Sequence, residues 1–506
     1  MSDFENEKQI GEYPLAARGI RKSVLNKEVG TDYILPDYMG DIKRMLKYTA
    51  NVVPCNKIVS LAEASFVAVV TFRVMYLDSE DTLTEATFSC DVELVEKLFG
   101  ESNDANVDYK VQNVALRLNG PRKISAKATV TCEFCAAEEK IICERAGYPG
   151  AQMLKKDIMI HTVEYLKNSE REYAEEIDKI EESTSDEIEV IKSFAEAFID
   201  GVHKTDSGIN VSGYADAFCL LRGEDEIIRL EKRIPIEEHI ACDIFDSSTF
   251  IPEAYVTGVT VNLNNVNTDD ECSVSVVMNM TVECAVEHHY NQSVSIVRDA
   301  FFEGCKNECS YEEIEFSSLG ECVFDKASMS VNILRKEEPL YDILERDMTV
   351  KNLRYDITGQ DLTVLFDAEL HMIARGNGKE DCYTVKEVFE FSKKYRLSMT
   401  DTTKIYLNAV PCDVSVSFDG EKIYIEAQIL ISILTENKEC EKILTNIEYE
   451  EECKNDDRTV IVYYPEKEDT LWSVSKKYSV SPSALATRNG MTNASIFECK
   501  KLIIVK

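Results

Sequence analysis

No run of apolar residues in this chain approaches the roughly 20 that a helix needs to cross a bilayer; the apolar stretches at 66–72 and 428–434 have the length of strands. Positive charge is scarce as well. The 506 residues carry 56 Lys and Arg against 92 Asp and Glu, a formal net charge of -36. That balance excludes nucleic acid and an anionic membrane as the main partner. It fits a well-solvated surface or a basic protein partner. Residues 1–9 are polar and acidic and lack the basic start and apolar core of an export signal, so the chain is expected to stay in the cytoplasm.

Histidine is rare, with six in the chain, and tryptophan occurs once. There is no Gly-x-x-x-x-Gly-Lys-Ser/Thr loop, no Gly-x-Ser-x-Gly elbow and no His-Glu-x-x-His helix. The histidines at 161, 203, 239, 288, 289 and 371 stand in no recognisable local motif. No catalytic residue and no cofactor site is therefore assigned, and a non-enzymatic protein is expected.

Cysteine is plentiful instead, 17 in all. Cys90, Cys132, Cys219, Cys284 and Cys412 sit inside β-like runs, the usage of a reducing compartment in which Cys acts as a small hydrophobe. Cys132 and Cys135, with Cys143 nearby, have the spacing of half a zinc site; Cys305 and Cys309 form a looser pair downstream of His288 and His289. Neither has a matching second half, so no metal site is assigned.

The most specific segment is the last one. Val460, Ile461, Val462 and Tyr463 are β-prone, as are Leu502, Ile503, Ile504 and Val505. Between them Asp469 or Thr470 can cap a helix whose Leu471, Val474 and Tyr478 share one face. Ser481 caps a second helix, Pro482 takes its first turn, Val480 and Leu485 are placed as a hydrophobic staple, and Gly490 supplies a left-handed stop. The order is β-α-α-β. Trp472 lies one step off the apolar stripe, where it either closes a marginal core or contacts a partner.

The string Asp469-Thr470-Leu471-Trp472-Ser473, with Tyr478-Ser479-Val480-Ser481-Pro482 and Asn489-Gly490, resembles the LysM domain. The resemblance implies a βααβ fold with a shallow groove for N-acetylglucosamine-containing glycans between two loops. The groove would be formed here by Glu468, Asp469, Thr470, Leu471, Trp472, Asn489, Gly490, Met491 and Thr492. This chain has Glu468 where the family usually has Gly, and a charged lip favours a protein over a sugar on the same surface.

The first 450 residues contain an internal repeat. Asp41-Ile42-Lys43-Arg44-Met45-Leu46 leads to the strand 64–76, Glu187-Ile188-Glu189-Val190-Ile191 to the strand 209–221, and Tyr341-Asp342-Ile343-Leu344-Glu345 to the strand 362–374, each through a mixed connector. The offset is roughly 150 residues. Later in each copy comes a hairpin. Val114, Leu116 and Leu118 alternate up to Asn119-Gly120 and Ile124, Ala126, Ala128 and Val130 return; Val414, Val416 and Phe418 reach Asp419-Gly420 and Ile423, Ile425 and Ala427 return. Val259, Val261 and Leu263 enter a longer loop over 264–271, and Asn377-Gly378 marks a further turn. The segment 164–189 is expected to be a connector with some helix. The charged run 448–458 is expected to be a linker that lets the C-terminal module move independently.

The predicted architecture is mainly β: three antiparallel, sandwich-like repeats at 1–165, 166–318 and 319–448, a linker at 449–458 and an α+β module at 459–506. Three β repeats with one C-terminal LysM-like module resemble the SPOCS-domain proteins of endospore-forming bacteria. That resemblance implies a protein made in the mother-cell cytoplasm and recruited to the forespore surface. There it would bind a SpoIVA-like spore-coat ATPase or other coat proteins; peptidoglycan is the alternative partner, and no membrane insertion is implied.

Overall fold

The computed structural model describes residues 14–60, 62–98, 104–167, 170–181, 183–224, 226–267, 272–334, 340–376, 382–419, 422–451, 460–491 and 501–505. It is mainly β. In the first sandwich, β1 (Leu15–Ile34), β6 (Lys123–Cys143) and β5 (Asp104–Leu118) form one sheet. The second sheet is a meander of β2 (Ile42–Val59), β3 (Glu63–Asp78) and β4 (Leu83–Lys97). All pairings are antiparallel. Period-2 alternation builds the core: Phe66, Ala68, Val70, Phe72 and Val74 of β3 point inward, against Ile124, Ala126, Ala128 and Val130 of β6.

The plan recurs twice. In the second sandwich β9 (Glu189–Thr205), β10 (Gly208–Arg222) and β11 (Ile227–Ala241) are the meander. They face β12 (Thr249–Asn267) and β13 (Cys272–Phe301), and β13 pairs along its length with β7 (Gln152–Lys167) and then β8 (Arg171–Glu181). In the third, β15 (Asp342–Thr358), β16 (Asp361–Arg375) and β17 (Cys382–Arg396) face β14 (Cys305–Leu334), β19 (Lys422–Glu451) and β18 (Thr403–Asp419).

The expected strands 64–76, 209–221 and 362–374 fall in β3, β10 and β16, the centre of each meander. The connectors before them are not connectors: they are β2, β9 and β15, which begin at the acidic-apolar lead-ins. Among its described residues the segment 164–189 is mostly strand, the end of β7 and the whole of β8, apart from a 3-10 turn at Ser185–Glu187, because β8 pairs with β13 and sends Tyr173, Ile177 and Ile180 into the second core. The expected divisions at 165 and 318 fall inside β7 and β14. Residues 449–451 of the expected linker continue β19, paired to Cys305, Lys306 and Asn307. Gly420, the Asn377-Gly378 turn and residues 268–271 lie outside the described residues.

The three sandwiches meet at one shared cluster, and the strand register there is equivalent in each. Lys47 pairs with Met75, Lys192 with Leu220 and Glu345 with Ile373, each at the twelfth position of its repeat strand. Met75, Leu220 and Ile373 pack into one apolar cluster shared by all three copies. The three partners converge beside it. Glu345 Oε1 receives Lys47 Nζ at 2.9 Å and Lys192 Nζ at 2.9 Å, while Lys47 also meets Asp347 at 2.8 Å and Lys192 meets Glu85 at 3.0 Å. Three identical charges could not share this buried point; here the two lysines are balanced by Glu345 together with Asp347 and Glu85.

A second junction forms where the strand pairs β1–β6, β7–β13 and β14–β19 run past their sandwiches. Ala17, Ile158, Ile160, Val294, Ile296, Phe316 and Ile443 pack there. The last module stands near this end. It comprises β20 (Val460–Tyr463), α1 (Leu471–Tyr478), α2 (Pro482–Arg488) and β21 (Leu502–Val505), with β20 antiparallel to β21.

Candidate functional site

The C-terminal module folds as its sequence dictates. Thr470 caps α1, its hydroxyl accepting from Ser473 N at 3.0 Å while the Ser473 hydroxyl accepts from Thr470 N at 2.9 Å. Ser481 caps α2, with Pro482 in the first turn. Val474, Leu485, Leu502 and Ile504 form the core, with Leu471, Tyr478, Val480 and Met491 packed on it. Gly490 takes the left-handed turn at φ 63°.

Several of the expected groove residues hold this frame together. Asp469 accepts from the Tyr463 hydroxyl at 2.6 Å and from Glu466 N at 2.7 Å, closing the loop before α1. Those two hydrogen bonds keep its carboxyl below the usual carboxylate range. Asn489 donates to Leu485 O at 2.8 Å and Ile503 O at 2.9 Å and accepts from Ile503 N at 2.7 Å, tying the end of α2 to β21. Glu468, Thr470 and Gly490 are exposed. Thr492 lies outside the described residues.

Trp472 does something else. It lies outside the module's apolar cluster, and its ring meets Phe301 edge-on with centroids 5.2 Å apart. The indole Nε1 donates to Asp299 Oδ2 at 2.7 Å. One turn further along α1, Lys476 Nζ reaches Asp299 Oδ1 at 2.5 Å and the Tyr311 hydroxyl at 3.2 Å. The Ser479 hydroxyl donates to Cys305 O at 3.0 Å, and Gly304 N donates to Ser479 O at 3.1 Å. One face of α1 is thus seated on the β13–β14 hairpin. Burial pushes the Asp299 carboxyl up, but hydrogen bonds from Lys476, Trp472 and Tyr311 outweigh it and leave the group below its usual range. The expectation of an independently moving module is corrected: charge-assisted and aromatic contacts fix it to the β body.

Residues 466–505 match the LysM domain family. The match covers the C-terminal module except β20 and no part of the β body, and no curated protein and no solved structure matches the chain. The LysM module is a binding unit of the kind that recognises peptidoglycan glycans or a protein.

Sequence reasoning did not anticipate Asp299, Tyr311 or Lys476 in this region. Lys476 and Ser479 follow Trp472 at helical spacing, which was the only local signal. Nor did it anticipate the use of the histidines. His161 Nδ1 lies 3.3 Å from Glu436 Oε1, His161 Nε2 lies 3.1 Å from His289 Nδ1, and His289 Nε2 lies 3.0 Å from Glu287 Oε2. Burial lowers the His161 pKa to about 4, against the pull of Glu436. Cys132 and Cys135, three apart in β6, point to opposite faces: Cys132 into the first core, Cys135 toward Val163 of β7.

Proposed function

We propose that the chain is a non-enzymatic adaptor of spore-coat assembly, made in the mother-cell cytoplasm and recruited to the forespore surface, where its LysM module docks on a SpoIVA-like coat-basement ATPase. Support comes from the layout, three β sandwiches followed by one LysM module, which resembles the SPOCS-plus-LysM proteins and among them SipL of clostridia. The observation that carries the protein-partner reading is Glu468, an exposed carboxylate on the loop before α1, beside exposed Thr470. A charged lip disfavours stacking of a neutral sugar and suits a basic protein patch.

The second reading, a peptidoglycan-binding protein of wall or cortex, is favoured by the LysM match itself. One experiment separates them. The full chain and its Glu468→Gly and Glu468→Lys variants are tested for binding to a purified SpoIVA-type ATPase by biolayer interferometry, and for retention on purified peptidoglycan. The adaptor reading expects micromolar or tighter binding to the ATPase that Glu468→Lys weakens on the order of tenfold. Retention on peptidoglycan alone, strengthened by Glu468→Gly, would overturn it in favour of the glycan.

A further inference from the structure

Between the first and second sandwiches lies a cavity of about 150 Å³, bounded by β2, β3 and β5 on one side and β7, β12 and β13 on the other. A cavity of this size holds a ligand as large as benzene. Its wall carries three phenols, Tyr109, Tyr165 and Tyr255, and the carboxylates Glu253 and Glu287. The Tyr109 hydroxyl is shut off from solvent without a hydrogen bond, and the Tyr165 hydroxyl, equally buried, meets the Cys135 thiol. Both oxygens keep acceptor capacity, and Glu253 and Glu287 add carboxylates.

We infer that this cavity binds an organic cation, a primary ammonium or guanidinium group, with Glu253 as its counter-ion and the Tyr109 and Tyr165 phenols as cage and acceptors. An ammonium donates to carboxylate and phenol oxygens alike. Tyrosine rings around it add attraction to the positive charge. A metal ion fits less well, since among the described residues no three His, Cys, Asp or Glu side chains converge as ligands.

Two of the nearby cations are engaged elsewhere. Lys167 at the rim pairs with Glu283 at 2.8 Å. Lys110, behind the wall, is held by Asp108 and Glu133, each at 3.2 Å. Lys57 at the mouth stands over the Tyr165 ring, 5.4 Å from its centroid, itself a sign that this ring attracts cations. Burial, then Asp108 and Glu287, push the Glu253 carboxyl up to about 8, while the Tyr255 hydroxyl hydrogen bond and Lys110 oppose them. Glu287 is kept ionised against burial by the hydrogen bond from His289. Without a guest Glu253 holds a proton at neutral pH; an entering cation expels it to solvent.

The cation has two sources, a free polyamine or a Lys or Arg side chain of a protein partner. Isothermal titration of the full chain with putrescine, N-acetyl-lysine methylamide and N-acetyl-arginine methylamide, from pH 6 to 9, distinguishes them by which binds tightest. The expected result is saturable binding that tightens about tenfold per pH unit up to about pH 8, with one proton released per cation. Glu253→Gln should weaken it at least about tenfold and Tyr165→Phe several-fold. No heat from any probe at millimolar concentration overturns the proposal, as does binding that neither variant changes. If Glu253→Gln does not fold, the wild-type pH slope and Tyr165→Phe decide alone.

Discussion

The indole nitrogen of Trp472 donates to Asp299 Oδ2 at 2.7 Å, across 173 residues of sequence. The one tryptophan of the chain is thereby an internal reporter of whether the LysM module sits on the β body. Docking fixes the orientation of α1, and of the loop before it, on the β13–β14 hairpin.

Asp299→Ala should free the module. We expect a red shift of tryptophan fluorescence, faster proteolytic release of the module, and a loss of about 1.5–3 kcal/mol of docking energy, the range for hydrogen bonds to a charged group. Because the Asp299 carboxyl is held below its usual range, docking is complete above the unfolded-state value of about 3.9 and is lost as pH falls further. Unchanged emission in the variant would remove the contact.

Glu345 should be the most sensitive polar position in the β body. It is 2% exposed and receives two buried lysines, so Glu345→Gln weakens two charge-assisted hydrogen bonds while Asp347 and Glu85 still balance Lys47 and Lys192, at a cost of about 1.5–3 kcal/mol. Burial opposes its ionisation, yet Lys47 and Lys192 bring its pKa down to about 2. Its contribution is present above the ordinary carboxylate value and fades as pH falls toward 2. Urea denaturation at pH 7 and pH 3 checks both; a variant within about 1 kcal/mol of the wild type would show that the site is wetter than its burial implies.

His161 should give the molecule an acid-sensitive range of its own. Its folded pKa of about 4 lies below the ordinary histidine value of about 6.5, so the unfolded chain binds a proton first. Stability is then full above 6.5 and declines as pH drops toward 4, by up to ~3 kcal/mol. His161→Gln, which cannot titrate, should flatten the stability curve over that interval. Melting temperatures measured from pH 4 to 7 test this, and an equal slope in both proteins would place the sensitivity elsewhere.

Much of the fold was legible. Alternation in 64–76 identified a centre strand because a buried sheet face selects every second residue, and Leu118 with Asn119-Gly120 marked the β5–β6 hairpin. The connectors after each lead-in were misread, since Lys47, Lys192 and Arg346 are charged residues within strands, and a charge in a strand reads as loop until its partner is known. Similarly Glu172, Glu175 and Glu176 disguised β8. In the site, Thr470, Ser481 and Gly490 behaved as local capping rules require, whereas Trp472 could be assigned neither to core nor to partner from its helix position.

The sequence by itself determined the βααβ module, the three repeats and the strand periodicity, because caps, turns and alternation act over a few residues. Only the tertiary structure decided that Lys47, Lys192 and Glu345 meet, that His161 faces Glu436 and His289, and that Trp472 belongs to Asp299. Those pairs join different strands and modules far apart in the chain. Their proximity follows from sheet order and module packing, which no local pattern encodes.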